Sequence, residues 1–406
     1  MERISAANGS VSGIVNEIVN NPYDGRESTQ AKHFILEHYL RALAFKILRI
    51  NDLTYVDGFS GPWMTATEDF SDSSFMIAIK TLKDAQETIR NGTGRRPNIR
   101  CFFSENNRAT FIKLESAVRD FHDPDNGFSI KTHSGRFEDA IDVIREFVGS
   151  SFPLIFIDPK GWAGYPLDKI KPLFSQKKCE VIINFMFDHV KRFSNSLDET
   201  LVQSFDPILG GAGWQERLDP SLPKDLAIEK LFRDTLKDVG NFHYVASTGI
   251  NRATMDKTHY FITYGTKHLK GLVVFRDTEY KARRFHERNR ANAKERERAE
   301  RTGMGPLFPK YQADLDEENV EIDIVQEKAT ASERLEQVLS TDGQQRFDKV
   351  VGMLLERYQL RETHIKDICA DLAKSGKIEN TWGSGNKKPR NECMIRMKPV
   401  SEEAPR

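Results

Sequence analysis

The sequence predicts an α/β fold, a doubly wound and mostly parallel sheet, followed by a small C-terminal module. Three observations carry this. Short runs that are apolar throughout alternate with longer amphipathic runs, as in parallel strands covered by helices on both faces. The apolar runs end in glycines, acids or Asp-Pro, residues that turn a chain at the carboxyl ends of strands. Beyond residue 280 the alternation gives way to a strongly charged, helix-prone stretch.

The elements follow in order. Residues 1–28 are polar and Gly/Asn-rich and are expected to be a flexible N-terminus. From Thr29 to Leu48 apolar residues recur at helical spacing, which predicts an amphipathic helix. "LTYVDGF" is a buried strand, and "SFMIAIKTLKDAQETIR" is a helix stopped by "NGTG". Then come "IRCFFSE" (strand), "RATFIKLESAVRDF" (helix), "GFSIKTHSG" (strand) and "RFEDAIDVIREFV" (helix). "PLIFIDPKG" (strand), "LDKIKPLF" (short helix) and "CEVIINF" (strand) continue the pattern. Residues 195–239 read as an irregular, partly helical insertion, with Gly210, Gly211 and Gly213 as a flexible turn. "NFHYVAST" and "THYFITYGT" are strands able to pair antiparallel, and they close a main domain over 29–280.

Residues 281–330 hold the charged helix "KARRFHERNRANAKERERAER" and an acidic linker. Its Arg residues suit phosphate, whereas the interspersed Glu suit a solvated helix with i,i+4 pairs. Residues 331–400 read as helix, helix pair and two strands around a Gly/Lys-rich loop, the winged-helix variant of the helix-turn-helix.

Composition narrows the function. Lys+Arg and Asp+Glu both total 60, so binding a polyanion requires locally concentrated positive charge. Cys101, Cys179, Cys369 and Cys393 have no paired spacing, and Cys101 and Cys179 fall in apolar runs; no metal site is expected. Free thiols, no signal-like N-terminus and no membrane-length apolar run point to a cytoplasmic protein.

Ligands of doubly wound sheets bind beyond the carboxyl ends of the strands. The first strand ends in Asp57, Gly58, Phe59, Ser60 and Gly61, where glycines let backbone N–H groups approach a ligand. The second ends in Glu105 and Asn106, a carboxylate suited to the two hydroxyls of a ribose. The third is followed by Arg136 and Phe137, a flat apolar ring with polar edges. The fourth ends in Asp158, Pro159, Lys160, Gly161 and Trp162. A nucleoside-containing ligand fits this series. The dinucleotide fingerprint GxGxxG is absent from the first loop.

The loop "DGFSG" is closer to the Asp-x-Phe-x-Gly-x-Gly loop of class I S-adenosyl-L-methionine (AdoMet) methyltransferases. "FIDPKGW" resembles the Asp-Pro-Pro-aromatic motif of those that modify nucleic-acid bases. "KHFILEHYLRALAFKI", "YVDGFSGPW", "FFSEN", "FIDPKGWAGYPLDKIKPLF", "EVIINFMFDHVKRF" and "THYFITYGTKHLKGL" resemble, in order and spacing, the three-Cys-motif partner (TcmP) family over Ala31 to Arg283. The resemblance implies a Rossmann-like class I methyltransferase domain, with AdoMet held by Asp57–Gly61, Glu105, Asn106, Arg136 and Phe137. It implies catalysis by Asp158, Pro159, Lys160 and Trp162, with Asp158 orienting an exocyclic amine. Trp63 and Lys160 depart from the family pattern, which has Gly and Phe there.

Two readings follow: a base methyltransferase, or a degenerate methyltransferase fold that supports a three-Cys radical-AdoMet-like partner. In either, Lys374, Lys377, Lys387, Lys388 and Arg390, beside Trp382, are expected to bind nucleic acid. Lys32 and His33 on the first helix are further candidates near the loop, and Asp188, His189 and Arg192 near the substrate mouth.

Overall fold

The computed structural model describes residues 21–62, 65–194, 196–304 and 309–399 except 384, the side chains of 309–317 excluded. Trp63 and residues 1–20 of the expected flexible N-terminus therefore lie outside the described residues. The opening helix α1 spans Glu27–Ile47. The alternation runs β1 (Leu53–Asp57), α2 (Ser74–Thr93), β2 (Ile99–Glu105), α3 (Arg108–Val118), β3 (Phe128–Ser134), α4 (Ile141–Val148), β4 (Phe152–Ile157), α5 (Leu167–Ile170) and β5 (Glu180–Phe185). Then follow α6 (Phe187–Phe193), α7 (Glu199–Gln203), α8 (Asp206–Leu209), α9 (Lys224–Gly240) and the hairpin β6 (Tyr244–Asn251) and β7 (Thr258–Thr266). Long helices α10 (Leu269–Thr302) and α11 (Pro309–Asp342) lead to β8 (Gln345–Arg346), α12 (Phe347–Arg357), α13 (Glu362–Lys374) and β9 (Met394–Ile395).

The seven-stranded sheet has the order β3-β2-β1-β4-β5-β7-β6. Strands β1 to β5 pair in parallel, and β7 is antiparallel to both β5 and β6. The order reverses between β1 and β4, which opens a crevice at their carboxyl ends. Alternation along the strands divides the interior. Tyr55, Phe103 and Phe156 join one apolar cluster, whereas Val56, Phe102 and Ile155 join the cluster on the other face.

Three parts differ from the expectation. The stretch read as an irregular, partly helical insertion contains α9, the crossover helix from β5 to β6, whose Phe232 stacks on Phe185 of β5 at 4.0 Å, so it belongs to the sheet's own wrapping. The sequence there looked irregular because α7 and α8 are single-turn pieces. The charged stretch continues a helix that begins at Leu269 and runs through residue 280. His286 and Arg290 on it are buried, and Phe285 stacks on Phe34 of α1 at 4.5 Å. The acidic stretch read as a linker is helical within α11.

The C-terminal module carries β8 paired with β9, and an Ile378–Met397 bridge. Its apolar residues, Val351 and Leu355 among them, belong to the same cluster as Tyr264 and Phe275 of the main domain. Backbone contact explains Gly352 in the middle of α12. A Cβ there would lie 2.6 Å from the ring of Tyr244, so the helix can approach β6 only without a side chain. Glu356 accepts from Lys237 Nζ (2.5 Å) and from Val245 N (3.0 Å). At the centre Arg276 is buried: Nη1 donates to Glu279 Oε1 and Oε2 (2.7 and 2.6 Å), and Nε donates to Leu355 O (2.7 Å).

A buried guanidinium stripped of its carboxylate loses its paired counter-charge without gaining water. Glu279→Ala should therefore destabilise the chain by about 3–5 kcal/mol in urea unfolding. A loss below about 1 kcal/mol, the value of an exposed pair, would show that solvent reaches Arg276.

Candidate functional site

The crevice opens into a cleft of about 580 Å³ at the ends of β1 to β4. Gly58, Phe59, Glu105, Asn106, Arg136 and Phe137 line it, and Lys160, Gly161 and Trp162 form the opposite wall. Asp57 and Ser60 are instead buried beneath this surface, and Gly61, Asp158 and Pro159 flank it.

Asp57 shapes the loop from below. Its Oδ1 accepts from Phe59 N (3.0 Å), its Oδ2 accepts from Ser74 Oγ at the start of α2 (2.8 Å), and Ser60 Oγ donates to Asp57 O (2.9 Å). Ser60 N donates to Ser104 O (2.9 Å), tying the loop to β2. Gly58 is dictated by close approach: a Cβ would lie 2.8 Å from the Phe137 ring. Phe137 is thus buried against the loop as well as lining the cleft, with Phe59 at 5.9 Å. Glu105 is almost wholly buried, and its Oε1 accepts from Asn107 N (2.6 Å); Asn107 in turn caps α3.

Asp158 is engaged on both oxygens. Lys32 Nζ donates to Oδ2 (2.5 Å) and Asn184 Nδ2 to Oδ1 (2.7 Å). Lys32 therefore meets the Asp-Pro turn as well as neighbouring Tyr260, whose ring centroid is 5.9 Å away. His33 faces the other way, bonded to the Tyr23 hydroxyl (3.0 Å), and burial pushes its pKa down to about 3. Trp162 donates from Nε1 to Ser204 Oγ (2.9 Å), with its ring 4.9 Å from His189 and 5.3 Å from Phe205. Behind it lies a second cleft of about 780 Å³, which Gly210 and Gly211 help to line; both have positive φ, as does Gly213.

At the end of β5, Asp188 accepts the charges of Arg192 (3.7 Å), Arg252 (3.1 Å) and Lys257 (3.3 Å). Burial raises its pKa, but Lys257 and Arg252 outweigh burial and hold it low. Sequence reasoning did not single out Arg252, Lys257, Asn184 or Tyr260. Arg252 and Lys257 flank the β6–β7 turn. The antiparallel β7 brings that turn to the same edge as the strand ends, a placement fixed by sheet order rather than by a local motif.

The C-terminal cations are elsewhere and are differently partnered. Lys377 pairs with Glu336 (2.8 Å), Lys388 pairs with Asp367, and Arg390 donates to Asn386 Oδ1 (3.0 Å). Lys374 and Lys387 are exposed, and Trp382 is a core residue. Cys101, Cys179 and Cys369 are buried free thiols, and Cys393 is half-buried and free. Among the described residues no helix is long and apolar enough to cross a membrane.

Burial pushes Asp57 up to about 6, against the hydrogen bonds from Phe59 and Ser74, with the nearby Asp158 charge acting in the same sense as burial. The folded chain thus holds a proton that the unfolded chain releases nearer 3.8, so this group's contribution to stability falls as pH rises between those values. Asp57→Asn does not ionise. Its stability relative to the natural chain should rise by up to about 3 kcal/mol across that window in urea unfolding, and a flat difference would refute the raised pKa. Protein-family models give no match to the chain, and neither do curated proteins.

Proposed function

We propose that the chain is an AdoMet-dependent methyltransferase whose acceptor is an exocyclic amine of a nucleic-acid base. One observation carries the reading: the crevice at the β1/β4 reversal is lined by a glycine loop, a carboxylate at the end of β2, and two Phe faces. This supports a nucleoside-bearing cofactor, since ligands of doubly wound sheets bind at this reversal. The cleft volume of about 580 Å³ suits such a ligand. The resemblance to the TcmP family and to class I base methyltransferases selects AdoMet among nucleoside ligands.

When bound, AdoMet supplies an electrophilic methyl on its sulfonium. Glu105 would accept from the ribose hydroxyls, and Asn106 and Arg136, which also line the cleft, would offer polar contacts at the rim. Phe59 and Phe137 supply apolar surface for the adenine, while Gly58 lets the ligand approach the backbone. Asp158 and the Pro159 turn would hold the acceptor amine by accepting from its N–H, which would raise electron density on its nitrogen. Trp162 gives a flat face for the acceptor base, with Lys160 at the entrance. The order β8, α12, α13, bridge and β9 supports a winged helix that adds nucleic-acid affinity through Lys374, Lys387 and Arg390. The buried free thiols support a cytoplasmic location.

A second reading is favoured by a specific contact. Both Asp158 oxygens are already partnered by Lys32 and Asn184, as befits a fold that supports a three-Cys radical-AdoMet-like partner without catalysis of its own.

Calorimetry with AdoMet separates these. Glu105→Ala should weaken binding tenfold or more, since charge-assisted hydrogen bonds are worth about 1.5–3 kcal/mol each. Absence of binding at millimolar ligand ends the cofactor assignment. Transfer of labelled methyl to mixed DNA and RNA should be abolished by Asp158→Ala with AdoMet affinity retained. Binding by the natural chain without transfer selects the second reading.

A further inference from the structure

We propose that Arg192, Arg252 and Lys257 form a phosphate-binding rim for the nucleic-acid strand whose base enters the cleft. This rests on the base-methyltransferase reading and assigns its strand contact to the main domain.

The first observation is an imbalance of charge. Three cations from two separate elements converge on the single carboxylate of Asp188. The carboxylate is 10% exposed, whereas the side chains of Arg192, Arg252 and Lys257 are 61%, 33% and 52% exposed. Among the described residues, one anion beneath three cations leaves net positive charge facing solvent. The nearest acid on the same turn, Asp256, does not offset it, because Arg290 and Lys294 of α10 already hold that carboxylate.

The second observation is position. His189, next to Asp188, packs on the Trp162 ring that walls the cleft. His259 follows the turn on β7, its ring 5.1 Å from that of Tyr260, which in turn has Lys32 Nζ 5.9 Å from its centroid. The rim is therefore continuous with both the Trp162 face and the Asp158–Lys32 pair. Both imidazoles are held below their ordinary pKa, chiefly by burial and next by the neighbouring Arg charge. They remain neutral near pH 7, so they offer hydrogen bonds to sugar or base edges while the rim supplies the charge.

The third observation is the contrast with the C-terminal module, where Lys377 and Lys388 each have a carboxylate of their own. Two guanidinium groups and an ammonium around one point suit the several oxygens of a phosphate. Phosphate oxygens would share these cations with Asp188, so the carboxylate sets a limit on affinity.

Anisotropy of a fluorescein-labelled single strand, DNA and RNA in turn, tests this on the full chain across a salt series. Arg252→Ala with Lys257→Ala should weaken binding about tenfold and shallow the slope of log affinity against log salt by ~0.7 for each phosphate no longer neutralised. Arg252→Lys with Lys257→Arg should keep the slope, which separates charge from folding. Asp188→Asn, nearly the same shape without the charge, should tighten binding. The proposal is overturned if the natural chain binds no strand, if the alanine pair changes nothing, or if Asp188→Asn weakens binding. Poly-glutamate binding more tightly than the strand also overturns it, in favour of an acidic protein partner. AdoMet calorimetry on the same samples keeps the two readings apart. A chain that binds strands through this rim but takes up no AdoMet upholds the rim and removes the methyltransferase.

Discussion

The ion pair between Lys32 and Asp158 is the contact on which the arrangement of the site depends. The β1/β4 reversal places two carboxylates, Asp57 and Asp158, on neighbouring strand ends, and the charge of Asp158 adds to burial in disfavouring ionisation of Asp57. The structure treats them differently. Asp57 is sealed under its own loop, with its pKa raised toward neutrality, whereas Asp158 is partly exposed with Lys32 and Asn184 on its oxygens. Lys32 comes from α1, which precedes the strand-helix alternation. Helix α1 is fixed by α10 through Phe34–Phe285 stacking and by the Asn289–Gln30 hydrogen bond (2.9 Å). An element from the far end of the chain thus decides where the ammonium at the site sits.

The same pair divides the two functional readings. A carboxylate that must accept from a substrate amine has to exchange one existing partner for it. Exchange is feasible for Lys32, a flexible ammonium whose side chain is 11% exposed. Asn184 is less free, because it lies within β5 and its Nδ2 also meets Met186 Sδ. The geometry therefore leaves the Oδ2 side as the one an acceptor can take.

Much of this was legible in the residues. The strands announced themselves because parallel strands covered on both faces are apolar throughout, as "PLIFI" and "VIINF" are. The strand-end rule brought Gly58, Glu105, Phe137 and Trp162 to one cleft without any long-range information. It erred where a strand-end residue turns inward. Asp57 and Ser60 bond to their own loop, and a sequence does not distinguish a carboxylate that binds a ligand from one that holds the turn. Arg276 was illegible for another reason. Its burial is created by α12, about 80 residues later, and an isolated Arg in a charged helix looks solvated.

The distribution of charge follows from these placements. With equal numbers of cations and acids, the chain gathers positive potential only by pairing its acids elsewhere. Along α10 and α11 this happens through pairs such as Arg283–Asp323 and Arg290–Glu287, so the Arg-rich helix spends much of its charge internally. The C-terminal module does the same with Lys377 and Lys388. At the β6–β7 turn Asp256 is taken by Arg290 and Lys294, and among the described residues Asp188 is the carboxylate that faces Arg192, Arg252 and Lys257. That turn reaches the carboxyl edge only because β7 enters between β5 and β6 in the antiparallel sense. Sheet topology thus sets uncompensated charge beside the crevice that the strand order opens.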